Sequence, residues 1–470
     1  MNPPDTKAVQ QRAVDSIQQT LTGYATHFRF ENLPADTVHA AKVRVIDTLG
    51  ALMGGFAAEP CRIARNVAAL MLNADGATVI GTRLKTTPEM AAYVNAATAR
   101  YVEMNDTYHW PGAFGGHPSD VLTPVLAAAE HVHASGRELI AAVVLAYEVY
   151  QSFSDVFKNI GRGFDHTNLC TLGSALGAGR LFGLTPAQMA HCVSLAAVPN
   201  VILRQVRMDH YSMYKAVASG HAGRAGVFAA ILARAGMEGP HLPFEGAGGW
   251  RDHVARAPFA LALGGGDAPY KISRTVIKPR ACCGTTISSA LAAEQVAPLA
   301  AVEAVSKIVV ETYGRAKDDF GTGVHRWHPD TRETADHSIP YVVGVTLMDG
   351  AVTPRSFDDD KLWNPQLRAL IQKIEVVENP DYTAAYARLP VEHRTRVTVT
   401  LADGKRLTGE AGGDKHELSA PKTDQEIDDK FRLLCVDALG RSRVDALLEQ
   451  LWRLETAEDA AVLPPAFALD

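Results

Sequence analysis

Two stretches, GSALGAGRLFG (173–183) and GHAGRAGVFAAILARAG (220–236), run glycine and alanine through what the surrounding periodicity marks as long helices. Glycine inside a helix costs about 1 kcal/mol relative to alanine, so a chain that uses it repeatedly must recover that loss through packing. Backbones without bulky side chains can approach closely, and the expected architecture is a tight helical bundle. The segment PADTVHAAKVRVIDTLGALMGGF (34–56) supports this, because Val38, Ala41, Val45, Leu49 and Leu52 recur every three or four residues as one apolar stripe. Pro34 stands where a helix can begin and Gly54-Gly55 where it can end. The same spacing returns in 118–132, 135–153 and 185–198, the last opening on Thr185-Pro186 as N-cap and first turn.

Helical periodicity holds from about residue 8 to 265 and then the texture changes. KIVVETY (307–313), KIEVVEN (373–379) and RVTVTLADGKRLTGEA (396–411) are β-branched and partly alternating, with Asp403-Gly404 as a hairpin signal. Helical patterns reappear at 286–297 and 423–439, and the stretch 443–455 resembles the first half and is expected to return to it. A chain of 470 residues exceeds one ordinary core. The fold expected is mainly α: an all-helical domain over 1–265, completed by 430–460, and a smaller α+β domain over 266–429.

Composition narrows the partners. A net charge of −6 without any long Lys/Arg run argues against nucleic acid or an anionic membrane surface, so an anionic ligand would need a local cluster of cations. The beginning of the chain lacks a basic-then-apolar leader, and a cytoplasmic protein is expected. Six cysteines without C-x-x-C spacing predict reduced thiols. Neither a P-loop nor H-E-x-x-H occurs. The histidine pairs His131/His133 and His325/His328 lack ligand geometry, so neither a metal nor another cofactor is expected.

Five regions concentrate titratable groups. YVEMNDTYHWPGAFGGHPSD (101–120) gathers Glu103, Asp106, His109, His117 and Asp120 around a bend, and Pro118 as a first helical residue would leave free amides near His117 for a substrate carboxylate. Capping by Ser119 and Asp120 is the plainer alternative. LRQVRMDHYSMYK (203–215) supplies Arg204, Arg207, His210 and Lys215, the two arginines sharing a face if helical. GRGFDHTN (161–168) brings Arg162, Asp165 and His166 to a loop-to-helix junction. VIKPRACCGTT (276–286) reads as a strand ending in Lys278, Arg280 and Cys282-Cys283, and HPDTRETADHSIPYVVGV (328–345) sets Arg332, Glu333, Asp336 and His337 before an apolar helix. Together they suit proton abstraction beside a carboxylate in a polyanionic small molecule.

In order, NDTYH with GGHPSD, GFDHT, K-x-x-x-x-G-x-A-G, FEGAGGW, IKPRACCG and TRETADHSIPYVVGV resemble the MmgE/PrpD family across nearly the whole chain. The resemblance implies an all-helical domain with a C-terminal return, a smaller α+β lid domain, a homodimer, and cofactor-free chemistry on di- or tricarboxylates between the domains. The resemblance matches Lys215 to a carboxylate-binding lysine; with it, acid/base roles are expected for His117 and His166 with Asp106 or Glu103 assisting, and carboxylate contacts from Lys215, Lys278, Arg204, Arg207, Thr107 and Arg280. Glu103 stands where relatives carry aspartate, Ala218 where they often carry histidine, and Ile287 where a histidine is usual. The HPSD, LRQVR and TRETADHS forms favour dehydration of 2-methylcitrate or a near relative. Decarboxylation of a cis-aconitate type and epimerisation of an iminodisuccinate type are the alternatives on the same fold, and a non-catalytic carboxylate-binding paralogue is the alternative of another class.

Overall fold

A computed structural model describes residues 13–157, 163–208 and 210–469, which leaves Arg162 outside the described residues. The first part is helical: α1 (Ser16–His27), α2 (Ala35–Gly55), α3 (Glu59–Ala68), α4 (Pro88–Tyr101), α5 (Leu122–His131), α6 (Gly136–Val156), α7 (Thr167–Leu181), α8 (Pro186–Ala197) and α9 (Tyr214–Arg234). Local chemistry sets several of these starts. Ser135 accepts the Glu138 amide before α6, and Thr185 with Gln188 forms a reciprocal capping box before α8.

The glycines of α9 form the seam that the composition called for. A Cβ on Gly220 would lie 2.3 Å from the Tyr93 carbonyl of α4, one on Gly223 would lie 2.4 Å from Pro124 of α5, and one on Gly226 would lie 2.5 Å from the Thr171 carbonyl of α7. Three neighbours therefore press on one helix at a separation that no side chain permits. Helices α6 and α9 are long and apolar enough to cross a bilayer, yet both are largely buried among the helices around them.

Strands are few and short. β1 (Leu72–Thr78) pairs with β2 (Lys85–Thr86), and β3 (Thr107–Tyr108) pairs antiparallel with β4 (Thr275–Val276). The expected strand over 276–280 is thus only two residues long, and it ends before Lys278 because the chain bends at Pro279. A four-stranded sheet has the order β6-β5-β7-β8, built from β5 (Val305–Thr312), β6 (Ile374–Glu378), β7 (Thr395–Leu401) and β8 (Arg406–Ala411). β5 and β6 run parallel, and the other pairs are antiparallel. Ile308, Val310, Val397 and Val399 face a small core with α10 (Ile287–Glu294) and the helix Ile339–Asp349, so alternation along the strands became one covered face. Gly404 sits in the β7–β8 turn at φ +84°, a backbone angle that favours glycine.

The helix Asp424–Leu439 packs on α2, with Phe431 lying 3.1 Å from where a Gly50 Cβ would stand and Lys430 paired to Asp47. The whole is mainly α, with a smaller mixed sheet region.

Candidate active site

The last turn of α4 delivers Arg100, and the chain then turns through Glu103 at φ +54°. A non-glycine residue in that region costs roughly 1–2 kcal/mol, so contacts must hold it there. They are ionic. The buried Glu103 carboxylate lies 2.5 Å from Arg100 Nη1, 3.1 Å from Lys215 Nζ and 2.8 Å from Lys278 Nζ. Burial alone would raise this carboxyl, but Arg100, Lys215 and Lys278 outweigh it and hold the group well below its ordinary range. Lys215, at the start of α9, also donates to Asp336 at 2.9 and 3.0 Å and lies 3.2 Å from His337 Nδ1. Desolvation of Asp336 is likewise outweighed by Lys215 and then His337, which lower it.

Beside this ion cluster opens a cavity of about 110 Å³. Its walls carry Thr107, His109, His117, His166 and His337, and its charged lining is Arg100, Arg204, Arg207 and Arg315 against Asp319. The cation excess suits an anionic ligand. Arg204 and Arg207 come from a single 3₁₀ turn, in which residues three apart share a face, as the spacing suggested. Arg207 Nε donates to Asp165 at 2.9 Å, while its Nη1 and Nη2 are buried without a hydrogen-bond partner among the described residues. Asp165, which also accepts from the Thr167 amide and hydroxyl, is held low because Arg207 and His166 outweigh its burial.

The two imidazoles of the HPSD and GFDHT motifs are in different states of engagement. His117 Nε2 is 2.8 Å from Arg100 Nη2, which can only donate, so this nitrogen accepts and Nδ1 donates to the Asp106 carbonyl at 2.7 Å. Both ring nitrogens are therefore occupied. Burial first, and Arg100 next, push its proton affinity well down, which keeps the ring neutral. His166 is also driven down by burial, to about 3, with Asp165 opposing and Arg207 reinforcing. Its Nδ1 lies 3.2 Å from the Tyr150 hydroxyl, but among the described residues its Nε2 has only Asp165 Oδ1 at 4.0 Å.

Other expected residues fall in four places. Thr107, Arg204 and Arg207 line the cavity with the two histidines, whereas Glu103, Lys215 and Lys278 form the ion cluster next to it. Asp106 spends Oδ1 on the Ser119 amide at 2.9 Å, and the Asp120 amide donates to the His117 carbonyl at 3.1 Å. This corrects the expectation of free amides after Pro118: the segment Pro118–Val121 is a four-residue 3₁₀ turn whose donors are already taken, and neither Ser119 nor Asp120 caps it. Asp120 is instead buried, and desolvation raises its carboxyl to about 7. Arg280 stands apart. It makes a bidentate pair with Glu294 at 2.5 and 2.7 Å and lines a separate groove of about 380 Å³ with Lys422, Glu426 and Leu433, which contains no histidine.

The structure adds residues that local patterns did not assign to a site. Arg100 lies in an alanine-rich helix, and only its three-residue spacing to Glu103 hinted at a pair. Asp336 and His337 stand as a polar cluster before a helix, which Ser338 caps by accepting the Tyr341 amide. His109 faces the cavity from the same bend as His117, and Arg315 arrives from α11 (Gly314–Phe320).

Two acidic and imidazole clusters have the spacing of metal ligands, but their chemistry points elsewhere. Among Glu103, Asp336 and His337 the Lys215 ammonium already occupies the cation position. In the group Asp120, His166 and Cys170, burial raises the thiol of Cys170 well above its usual range, which disfavours the thiolate a metal would require.

Comparison with known proteins identifies the family. The MmgE/PrpD N-terminal domain model matches residues 19–261 and the MmgE/PrpD C-terminal domain model matches residues 281–454. The human cis-aconitate decarboxylase is 26% identical, covering 95% of this chain and 94% of its own. The 2-methylcitrate dehydratase of Cupriavidus necator is 28% identical over 86% of each chain, and that of Salmonella typhimurium is 26% identical over 79% of each. With both domain models matched in order over most of its length, the chain belongs to the MmgE/PrpD family.

Proposed function

We propose that this protein is a lyase that dehydrates 2-methylcitrate, or a closely related hydroxytricarboxylate, to an aconitate-type alkene by acid/base chemistry without a cofactor. The observation that carries the reading is Arg207, whose side chain lines the cavity with the neutral His166 and holds two buried guanidinium nitrogens without a hydrogen-bond partner among the described residues. A carboxylate matches that two-donor fork, and Arg204 and Arg315 supply charge for the others. A bound polyanion also raises the proton affinity of His166, because opposite charge nearby favours the imidazolium.

The steps balance on one imidazole. His166 Nε2 takes the proton α to a carboxylate, and the electron pair moves into that carboxylate as enediolate-like charge facing the arginines. The carbon–oxygen bond then breaks, the alkene forms, and the hydroxyl leaves as water with the proton from His166. In this reading His117 and Asp106 orient Arg100 and the Pro118 turn, while Lys215 and Lys278 reach the substrate only through the Glu103 cluster. The homodimer and the cytoplasmic setting belong to the same proposal.

Decarboxylation of a cis-aconitate-type substrate is the second reading, favoured by the human relative's match over 95% of this chain. A panel of substrates separates the two. Unsaturated product should form from 2-methylcitrate, and His166→Asn should slow it by about 10²-fold or more while circular dichroism stays unchanged. Carbon dioxide release from cis-aconitate, or α-proton exchange without loss of water, would sink the dehydration reading. Tight carboxylate binding without any turnover would leave a binding paralogue.

A further inference from the structure

A chain of buried and half-buried polar groups links the sheet region to the cavity. Glu417 accepts from the His393 amide at 3.0 Å, the Gly413 amide at 2.9 Å and the Ser419 amide at 3.1 Å, and its Oε1 lies 2.8 Å from His393 Nδ1. His393 Nε2 lies 2.7 Å from His109 Nδ1. His109 Nε2 ends the chain at the cavity wall, 3.3 Å from the Thr107 hydroxyl. Gly284 leaves room at this edge, since a Cβ there would stand 3.2 Å from Nε2.

We propose that Glu417 and His393 are positioning residues that fix the tautomer of His109, and that the bare His109 Nε2 reads the hydroxyl group of the substrate by accepting a hydrogen bond from it. An ionised carboxylate can only accept, so His393 Nδ1 carries a proton, and in the neutral ring its Nε2 is then an acceptor. His109 Nδ1 must then donate, which strips Nε2 of hydrogen. Burial would raise Glu417, but the hydrogen bonds it accepts from His393 and from the Ser419 and Gly413 amides outweigh it and hold the carboxyl at about 2. His109 stays neutral because burial first, with the Arg315 and Lys278 cations adding to it, disfavours its cation. Without a ligand, Thr107 satisfies Nε2. Its hydroxyl also lies 3.3 Å from the Gly116 carbonyl, so it can rotate there when a substrate hydroxyl takes its place.

This rests on the proposed function and names its selectivity. At neutral pH the carboxylates of a tricarboxylate are all acceptors, so its hydroxyl is the one group that can satisfy a bare nitrogen. An unsaturated tricarboxylate has no such donor and would leave Nε2 unpaired.

The test compares citrate with propane-1,2,3-tricarboxylate, which differ only by the hydroxyl, by calorimetric Kd, alongside nitrogen-15 spectra of histidine-labelled protein. The wild type should bind citrate about tenfold or more tightly and should show His109 Nε2 as an unprotonated ring nitrogen. His393→Phe, which removes the acceptor for Nδ1, should bring the two Kd values to within about threefold of each other and shift the His109 Nε2 signal. A protonated Nε2 in the wild type would overturn the proposal, as would equal Kd values there or a preference unchanged in His393→Phe. The wild-type spectrum keeps the idea falsifiable if that variant fails to fold. Binding does not require turnover, so loss of the hydroxyl preference refutes this inference alone, and absence of dehydration with the preference intact refutes only the reaction assignment.

Discussion

Replacing Glu103 by Gln should destabilise the protein by about 3–5 kcal/mol, the usual cost of breaking a buried ion pair from one side. The contacts show why the loss is large. Three cations lie within 3.1 Å of the carboxylate, and at an effective dielectric of about 20 each such pair is worth roughly 5 kcal/mol before desolvation is counted. Two of them keep other partners, since Lys215 retains Asp336 and Arg100 retains His117 and Asp120. Among the described residues Lys278 keeps only the Cys282 carbonyl at 3.4 Å and bears most of the loss. The assay is urea unfolding of both chains across pH. Because the folded carboxyl lies below its ordinary value of 4.5, the wild-type advantage is complete above that pH and shrinks as the solution is acidified further. A deficit under about 1 kcal/mol at pH 7, or one that grows on acidification, would refute the view that the cations depend on Glu103.

Asp120 should behave in the opposite sense: its folded carboxyl is raised from 3.8 to about 7, so ionisation opposes folding progressively between those values. The urea midpoint of Asp120→Asn relative to wild type should therefore climb over that range and level off above it, and a flat difference would count against the assignment. Gly220→Ala should lower stability by more than about 2 kcal/mol, even though alanine favours a helix by about 1, because its Cβ would press on the Tyr93 carbonyl. A neutral or stabilising Gly220→Ala, read from thermal unfolding, would show that α9 and α4 can separate at no cost.

Much of the fold was readable because its signals are local. The glycines of α9, the stripe of α2 and the Asp403-Gly404 hairpin each declare a geometry within one turn or two strands. The pairing of β3 with β4 had no such signal, since two residues per strand cannot show alternation. The site divides along the same line. His117, His166, Arg204 and Arg207 stand at bends and junctions that the sequence marks, and they meet at one cavity. Arg280 looked equivalent to Lys278 but is satisfied by Glu294, fourteen residues away on a helix whose register the motif does not reveal. His393 and Glu417 lie in no recognisable motif, and their link to His109 depends on where the sheet docks.

The pairing of α2 with the helix Asp424–Leu439 bears on how the chain matures during synthesis. Asp47 is buried in α2, and its partner Lys430 is made 383 residues later. Until that helix emerges and docks, the early bundle holds a buried acid that lacks its main counter-ion, with only partial relief from the nearby Arg44, and its apolar groove around Gly50 lacks Phe431. Translation proceeds from the N-terminus, so the first long helix to leave the ribosome waits for one of the last to close it. A nascent chain halted between the two exposes a face suited to chaperone capture, and release would follow synthesis of the closing helix.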